Sequence, residues 1–313
     1  MKKRRGFSMS DSNIALVMNT RIEYTTATYF RDVFEALRIP YRVFDIKQQR
    51  EIPDSFNVAF YVDDATHFYI YPHPKKLKIL YIIDTHMGIE DDVKLFRFAD
   101  VVFCAQRNAV EYIRRYVKHV AWIPLACDPL VHSGDGSGKK YDIAYIGGHG
   151  TVRRKEILDD LAKRYPGSFI GRAEKRMIGK IYGSSKIVVN VPINNDINMR
   201  FFEGLCSGAL LVTGPISGNG FGEILQKHPK QFCVVYNSYD DLVDKIDYYL
   251  AHDDEREAIA AEGRKFAENN TYPHRWNEMS GEINHARITK RSVFPYHLIN
   301  IIDKIGGFFR KDL

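Results

Sequence analysis

A chain of 313 residues, 45% hydrophobic and with 19 Tyr and 19 Phe, carries enough apolar side chains for two ordinary cores and excludes a disordered chain. Its net charge of +6 comes from 45 basic and 39 acidic residues, a balance that suits anionic substrates or an anionic membrane surface. The basic residues are spread along the chain and not gathered in a stripe, which argues against nucleic acid as the partner.

In chain order, Lys2-Lys3-Arg4-Arg5 is a solvated basic start followed by Ser8 to Ser12 and not by an apolar run. No secretory leader is therefore expected, and the expected location is cytoplasmic. Asn13 to Met18 has the continuous apolar character of a buried strand. Thr25 and Thr26 are placed to cap a helix whose apolar face carries Phe30, Val33, Phe34 and Leu37, with Pro40 stopping it. Further strands are expected at 41–46, 58–62, 78–83, 101–104 and 120–124, with a helix near 108–116. Ser133-Gly134-Asp135-Gly136-Ser137-Gly138-Lys139-Lys140 is a linker or exposed loop.

The pattern then restarts. Strands are expected at 141–146, 168–170, 186–191, 209–213 and 232–236, with helices over 151–163 and 239–251 and more helix beyond. Strands alternating with helices predict an α/β fold of two parallel sheets in tandem. The tail from Phe294 to Phe309 is an amphipathic helix that either packs on the N-terminal domain or lies on a membrane surface. Cys104, Cys127, Cys206 and Cys233 form no CxxC pair and sit in apolar runs, so zinc is not expected and buried reduced thiols are.

Parallel α/β sheets bind ligands at the carboxyl ends of their strands, so residues just after the predicted strands are the site candidates. Gly147-Gly148-His149-Gly150 opens a helix carrying Arg153 and Arg154. Glycines there admit the backbone to an anion, and two arginines in the first turns can clamp a diphosphate. The strand ending at Asn190 leads through Asn195-Asp196 into a helix with Arg200 and Glu203 three apart, on one face. A Glu there can accept both hydroxyls of a ribose. In the first half, Asp84 and His86 follow a strand and suit a general base for an acceptor hydroxyl. Glu23 and Asp63-Asp64 are further candidates. Asp63-Asp64 lacks the spacing of an Asp-x-Asp metal motif, and no metal site is expected.

The segment Arg200-Phe201-Phe202-Glu203-Gly204-Leu205-Cys206-Ser207-Gly208-Ala209-Leu210-Leu211-Val212-Thr213 resembles the nucleotide-sugar signature of GT-B glycosyltransferases of group 1 type. The nearest resemblance is to their spore-maturation-protein-like branch. Tyr141 to Gly148 with Arg153 is similar to that branch's opening of the second domain, Ile123-Pro124-Leu125-Ala126-Cys127-Asp128-Pro129 to the end of its first, and Ile79 to His86 to its donor-facing loop. The resemblance implies two Rossmann-like domains facing across a cleft (the GT-B fold): an acceptor domain over 1–132, a nucleotide-sugar domain over 133–290, and a C-terminal helix over 291–313 crossing back.

It also implies a nucleoside diphosphate sugar donor, UDP foremost, with no metal and no other cofactor, and a glycan, lipid-linked or protein acceptor. Glu203 would hold the ribose. Arg153 foremost, with Arg154 or Arg200 second to it, would neutralise the diphosphate, and Gly147 and Gly148 would let the backbone approach the nucleotide. Many retaining relatives carry a Glu eight positions before the ribose Glu. Here that position is Asn195, beside Asp196, which leaves the stereochemistry open. Two other readings compete: a catalytically weak GT-B-like nucleotide-binding or coat-assembly protein, and a nucleic-acid-binding protein.

Overall fold

The computed structural model describes residues 9, 12–22, 25–63, 69–90 and 92–285. The first half holds β1 (Ile14–Met18), α1 (Thr26–Ala36), β2 (Tyr41–Asp45), β3 (Val58–Val62), β4 (Leu77–Ile82), α2 (Val93–Phe96), β5 (Val101–Cys104), α3 (Val110–Arg114) and β6 (His119–Trp122). Its six strands pair in parallel in the order β2-β1-β3-β4-β5-β6. After α4 (Pro129–His132), the second half holds β7 (Tyr141–Ile146), α5 (Val152–Arg164), β8 (Phe169–Gly171), α6 (Ile178–Gly183), β9 (Ser185–Asn190), α7 (Met199–Ser207) and β10 (Leu210–Thr213). It continues through α8 (Phe221–Lys227), β11 (Val234–Val235), α9 (Tyr239–Ala251), α10 (Asp253–Glu268) and α11 (Tyr272–His285). Its five strands are parallel in the order β11-β10-β9-β7-β8. The fold is two Rossmann-like sheets in tandem.

Every residue of β1, β3, β4, β5 and β10 is buried, as helices on both faces of a parallel sheet require. That is why these strands appear in the sequence as unbroken apolar runs. α1 departs from expectation at both ends. Thr25 takes the N-cap position but its side chain makes no capping hydrogen bond. The helix ends at Ala36, and Leu37 is 49% exposed, off the apolar face formed by Phe30, Val33 and Phe34. Arg38 follows in the left-handed region at φ 54°, so the turn ends the helix before Pro40 is reached. All four cysteines are buried free thiols. No helix among the described residues is long and apolar enough to cross a membrane.

The helix that crosses back to the first sheet is α11, inside the range read as the second domain. Trp276 sits against Phe34, Phe60 and Phe30, with ring centroids 4.6, 5.7 and 6.5 Å away, and Tyr272 stacks on Tyr29 at 4.7 Å. The expected tail helix over 291–313 lies outside the described residues. Among the described residues the chain passes between the two halves twice, and the two passages pair. The Cys127 N–H donates to Asn270 O at 3.1 Å, and the Tyr272 N–H donates to Cys127 O at 3.2 Å. Buried Arg275 ties both strands down, donating from Nε to Pro124 O (2.9 Å) and from Nη2 to Asn270 Oδ1 (2.6 Å).

Candidate active site

The carboxyl ends of the two sheets face each other across a cleft of about 650 Å³. One wall comes from the loops after β3 and β4 and carries Asp63, Asp84, His86 and Asp92; the other carries Ile146, Arg154, Asp196, Asn198, Arg200 and Glu203. Backbone strain gathers at this cleft. Of the four non-glycine residues with positive φ among the described residues, Asp84 (59°), Asn194 (49°) and Asn195 (58°) lie in its loops. Such conformations cost about 1–3 kcal/mol each and persist where surrounding contacts hold them.

On the second wall, Asn198 caps α7 by accepting the Phe201 N–H at 3.2 Å, and Gly208 closes it at φ 78°. This sets the phase that turns Glu203 inward, where it is 8% exposed. Burial pushes its carboxyl up from 4.5 to about 7, against the pull of Arg200. Arg200 is held within the wall. Its Nε and Nη2 donate to Ile146 O at 3.0 and 2.8 Å, its Nη1 donates to Asn190 Oδ1 at 3.2 Å, and its guanidinium lies 4.0 Å from the Tyr145 ring centroid. Gly147, at φ 144°, makes room for it, since a Cβ there would collide with Arg200 Nη2.

Arg154 lines the cleft and has hydrogen-bonding capacity left. It is half-buried, burial and the nearby Arg200 pull its pKa down, and its Nε is buried with no hydrogen-bond partner. An unsatisfied buried donor of this kind is costly unless a ligand takes it.

Where the walls meet, the Asp84 and His86 side chains of the first and the Asp196 side chain of the second place one ligand-type atom each within 4.8 Å of one another. His86 Nδ1 is buried, 3.9 Å from Asp196 Oδ1, and makes no hydrogen bond. Burial raises both carboxyls, and His86 opposes the shift in each. This trio is the group among the described residues with the spacing to hold a cation.

Gln106 binds the two walls together: its Oε1 accepts from Thr85 Oγ1 at 3.0 Å, and its Nε2 donates to Asp196 Oδ1 at 3.0 Å. Asn194 Nδ2 adds a bond to His86 O at 3.0 Å.

The structure thus brings Asp84, His86, Asp196, Arg154, Arg200 and Glu203 to one cleft. Several candidates fall elsewhere. Arg153 is exposed and does not line the cleft, because α5 turns its Arg154–Leu158–Leu161 stripe inward. Asn190 is fully buried away from it, donating to Thr213 Oγ1 and accepting from Asn198 and Arg200. Asn195 is exposed, its carbonyl accepting from Asn219 Nδ2 at 2.8 Å. Gly148 is not among the lining residues either. Glu23 and Asp64 lie outside the described residues. Gln106 went unnoticed in the sequence, although it stands two residues past a strand end.

Residues 142–281 match a family model described as glycosyl transferase-like. No curated protein matches the chain by sequence. Among solved structures, the chain is similar to sucrose-phosphate synthase from Thermosynechococcus elongatus, at 11% identity over 87% of this chain and 97% of that one, with a TM-score of 0.57. It is similar to WaaG, a glycosyltransferase involved in lipopolysaccharide biosynthesis, at 9% identity over 87% and 99%, with a TM-score of 0.55. It is also similar to an S. aureus TarM mutant in complex with fondaparinux, alpha-GlcNAc-glycerol and UDP, at 13% identity over 76% of this chain, with a TM-score of 0.56. The chain spans 57% of the length of that TarM chain. Together with the two parallel sheets, these likenesses define the fold as GT-B.

Proposed function

We propose that the protein is a glycosyltransferase that moves a sugar from a nucleoside diphosphate sugar, UDP foremost, to a hydroxyl of a glycan, lipid-linked or protein acceptor. The observation that carries the reading is the pairing, in one cleft, of a buried unsatisfied guanidinium N–H on Arg154 with the inward carboxyl of Glu203. A nucleoside diphosphate offers the complement to both: a diphosphate for Arg154 and vicinal ribose hydroxyls for Glu203. The family model over 142–281 supports it, as does the UDP in the TarM complex. The motif from Arg200 to Thr213 favours the spore-maturation-protein-like branch and cell-surface or spore-surface glycan synthesis.

In the reaction, the acceptor oxygen bonds to the anomeric carbon while that carbon's bond to the diphosphate oxygen breaks, its electron pair leaving with the diphosphate. Arg154 offsets the charge that develops there, with Arg200 behind it, so transfer proceeds without a metal. The acceptor proton passes to the opposite wall, where Asp84 is the base; burial raises its carboxyl and so suits it to hold that proton. His86 and Asp196 hold sugar or acceptor hydroxyls beside it.

A thermal-shift screen with UDP, GDP, ADP and their sugars tests the reading, because a ligand of the folded state raises its melting temperature. At least one nucleotide stabilises the protein, and Glu203→Ala weakens that stabilisation. Absence of any stabilisation overturns the proposal.

A further inference from the structure

Behind Glu203 lies a buried polar chain that the cleft does not use. His132, at the end of α4, is fully buried, and its Nε2 stands 3.6 Å from Glu203 Oε1 and 3.1 Å from the Tyr29 hydroxyl. Its other ring nitrogen fixes the proton. The Asp128 backbone N–H donates to Nδ1 at 2.9 Å, so Nδ1 carries the lone pair and Nε2 carries the hydrogen. Burial holds the ring neutral, its pKa depressed to about 3. One N–H therefore faces two oxygens, one from each half of the molecule. Tyr29 is itself clamped between the Tyr272 ring and the Lys175 ammonium, which lies 4.0 Å from its centroid.

We infer that His132 is a positioning residue for the nucleotide site, whose Nε2–H turns from Tyr29 to Glu203 and orients the ionised carboxylate for the ribose. The inference rests on the reading of Glu203 as the ribose group. The 3.6 Å separation is just beyond hydrogen-bond range, and contacts of this kind tighten when the ligand arrives. Ionised Glu203 accepts hydroxyl protons; protonated Glu203 gives up half of that capacity.

The other titratable or charged groups acting on Glu203 are Arg200 of α7, Tyr182 of α6, Tyr29 of α1 and Tyr272 of α11. Burial raises all three phenols and keeps them neutral, which leaves Glu203 as the member of this cluster that titrates near neutrality. Because Tyr29 belongs to the first half, the first half helps set the geometry of a site on the second.

The test compares binding of UDP, GDP and ADP with their 2′-deoxy forms, between pH 6 and 8, in the full chain and three variants. The unchanged protein prefers the ribonucleotide by about tenfold or more, as loss of a hydrogen bond to a charged group implies, and binds more tightly as pH rises. His132→Leu collapses the ribose preference severalfold and moves the pH midpoint upward, whereas His132→Gln, which keeps an N–H at the Nε2 position, retains both. Tyr29→Phe folds with its ring stack intact and keeps or sharpens the ribose preference, since Nε2–H then has one acceptor left.

A His132→Leu protein that binds with the original ribose preference and midpoint overturns the inference. So does a Tyr29→Phe protein that loses the preference. Equal binding of ribo and deoxy forms by the unchanged protein overturns it while leaving glycosyl transfer standing. No binding of any nucleotide overturns both.

Discussion

Glu203→Gln isolates the consequence of burying a carboxyl at the cleft. In the unfolded chain this group titrates at 4.5 and in the fold at about 7, a gap worth about 3 kcal/mol. Between those values the folded protein keeps a proton that the unfolded chain has lost. Stability therefore falls as pH rises from about 4.5 to about 7, and the whole penalty is in place above that. Gln has the same shape, keeps an oxygen that can accept a hydrogen bond, and carries no charge to bury.

The variant is accordingly expected to be more stable than the parent at pH 8 by up to about 3 kcal/mol, on the order of 5 °C in melting temperature. The two melt together at pH 4.5, while nucleotide binding by the variant is weakened. Parallel melting curves across this range check it. A variant that melts below the parent at pH 8, or a difference that ignores pH, refutes the reasoning. On the proposed reading of Glu203 as the ribose group, a carboxyl that destabilises its own fold is the usual trade between activity and stability.

Removing the cleft cation, Arg154→Gln, raises the Kd for UDP by about 10- to 100-fold, while Arg153→Gln one residue away changes it by about twofold or less; calorimetric titration separates the two. Trp276→Ala empties a buried aromatic socket between α11 and the first sheet and destabilises by about 3–5 kcal/mol, read from urea unfolding. Transfer rate after exhaustive chelation equals the untreated rate; a loss restored by Mg²⁺ or Mn²⁺ would show instead that Asp84, His86 and Asp196 hold a cation.

Much of this architecture was legible because parallel strands buried on both faces must be written as apolar runs, and the runs at 14–18, 58–62 and 101–104 are nearly uninterrupted. Short helices were not: α2 and α4 have four residues each, too few to display a 3.6-residue period. The site was legible to the level of the segment and not of the side chain. Choosing Arg154 over Arg153 required the phase of α5, which the sequence does carry, since Arg154 lies four residues before Leu158 and seven before Leu161. Arg200 reads as a free cation until the Ile146 carbonyl and Tyr145 ring are placed around it. Gln106 and His132 lie beside Asp196 and Glu203, residues 90 and 71 positions away, a closeness that only the tertiary fold creates.

The return of α11 also bears on how the molecule is made. Phe30, Phe34 and Phe60 are synthesised well before the second half, yet the ring that fills the space between them is Trp276, more than two hundred residues later. The strands of the first sheet pair only with one another, but their aromatic core stays open until the second half has emerged. The long wait for that contact favours slow maturation and leaves apolar surface exposed in the meantime. The halves are separate as layers of structure and a single unit as a folding problem.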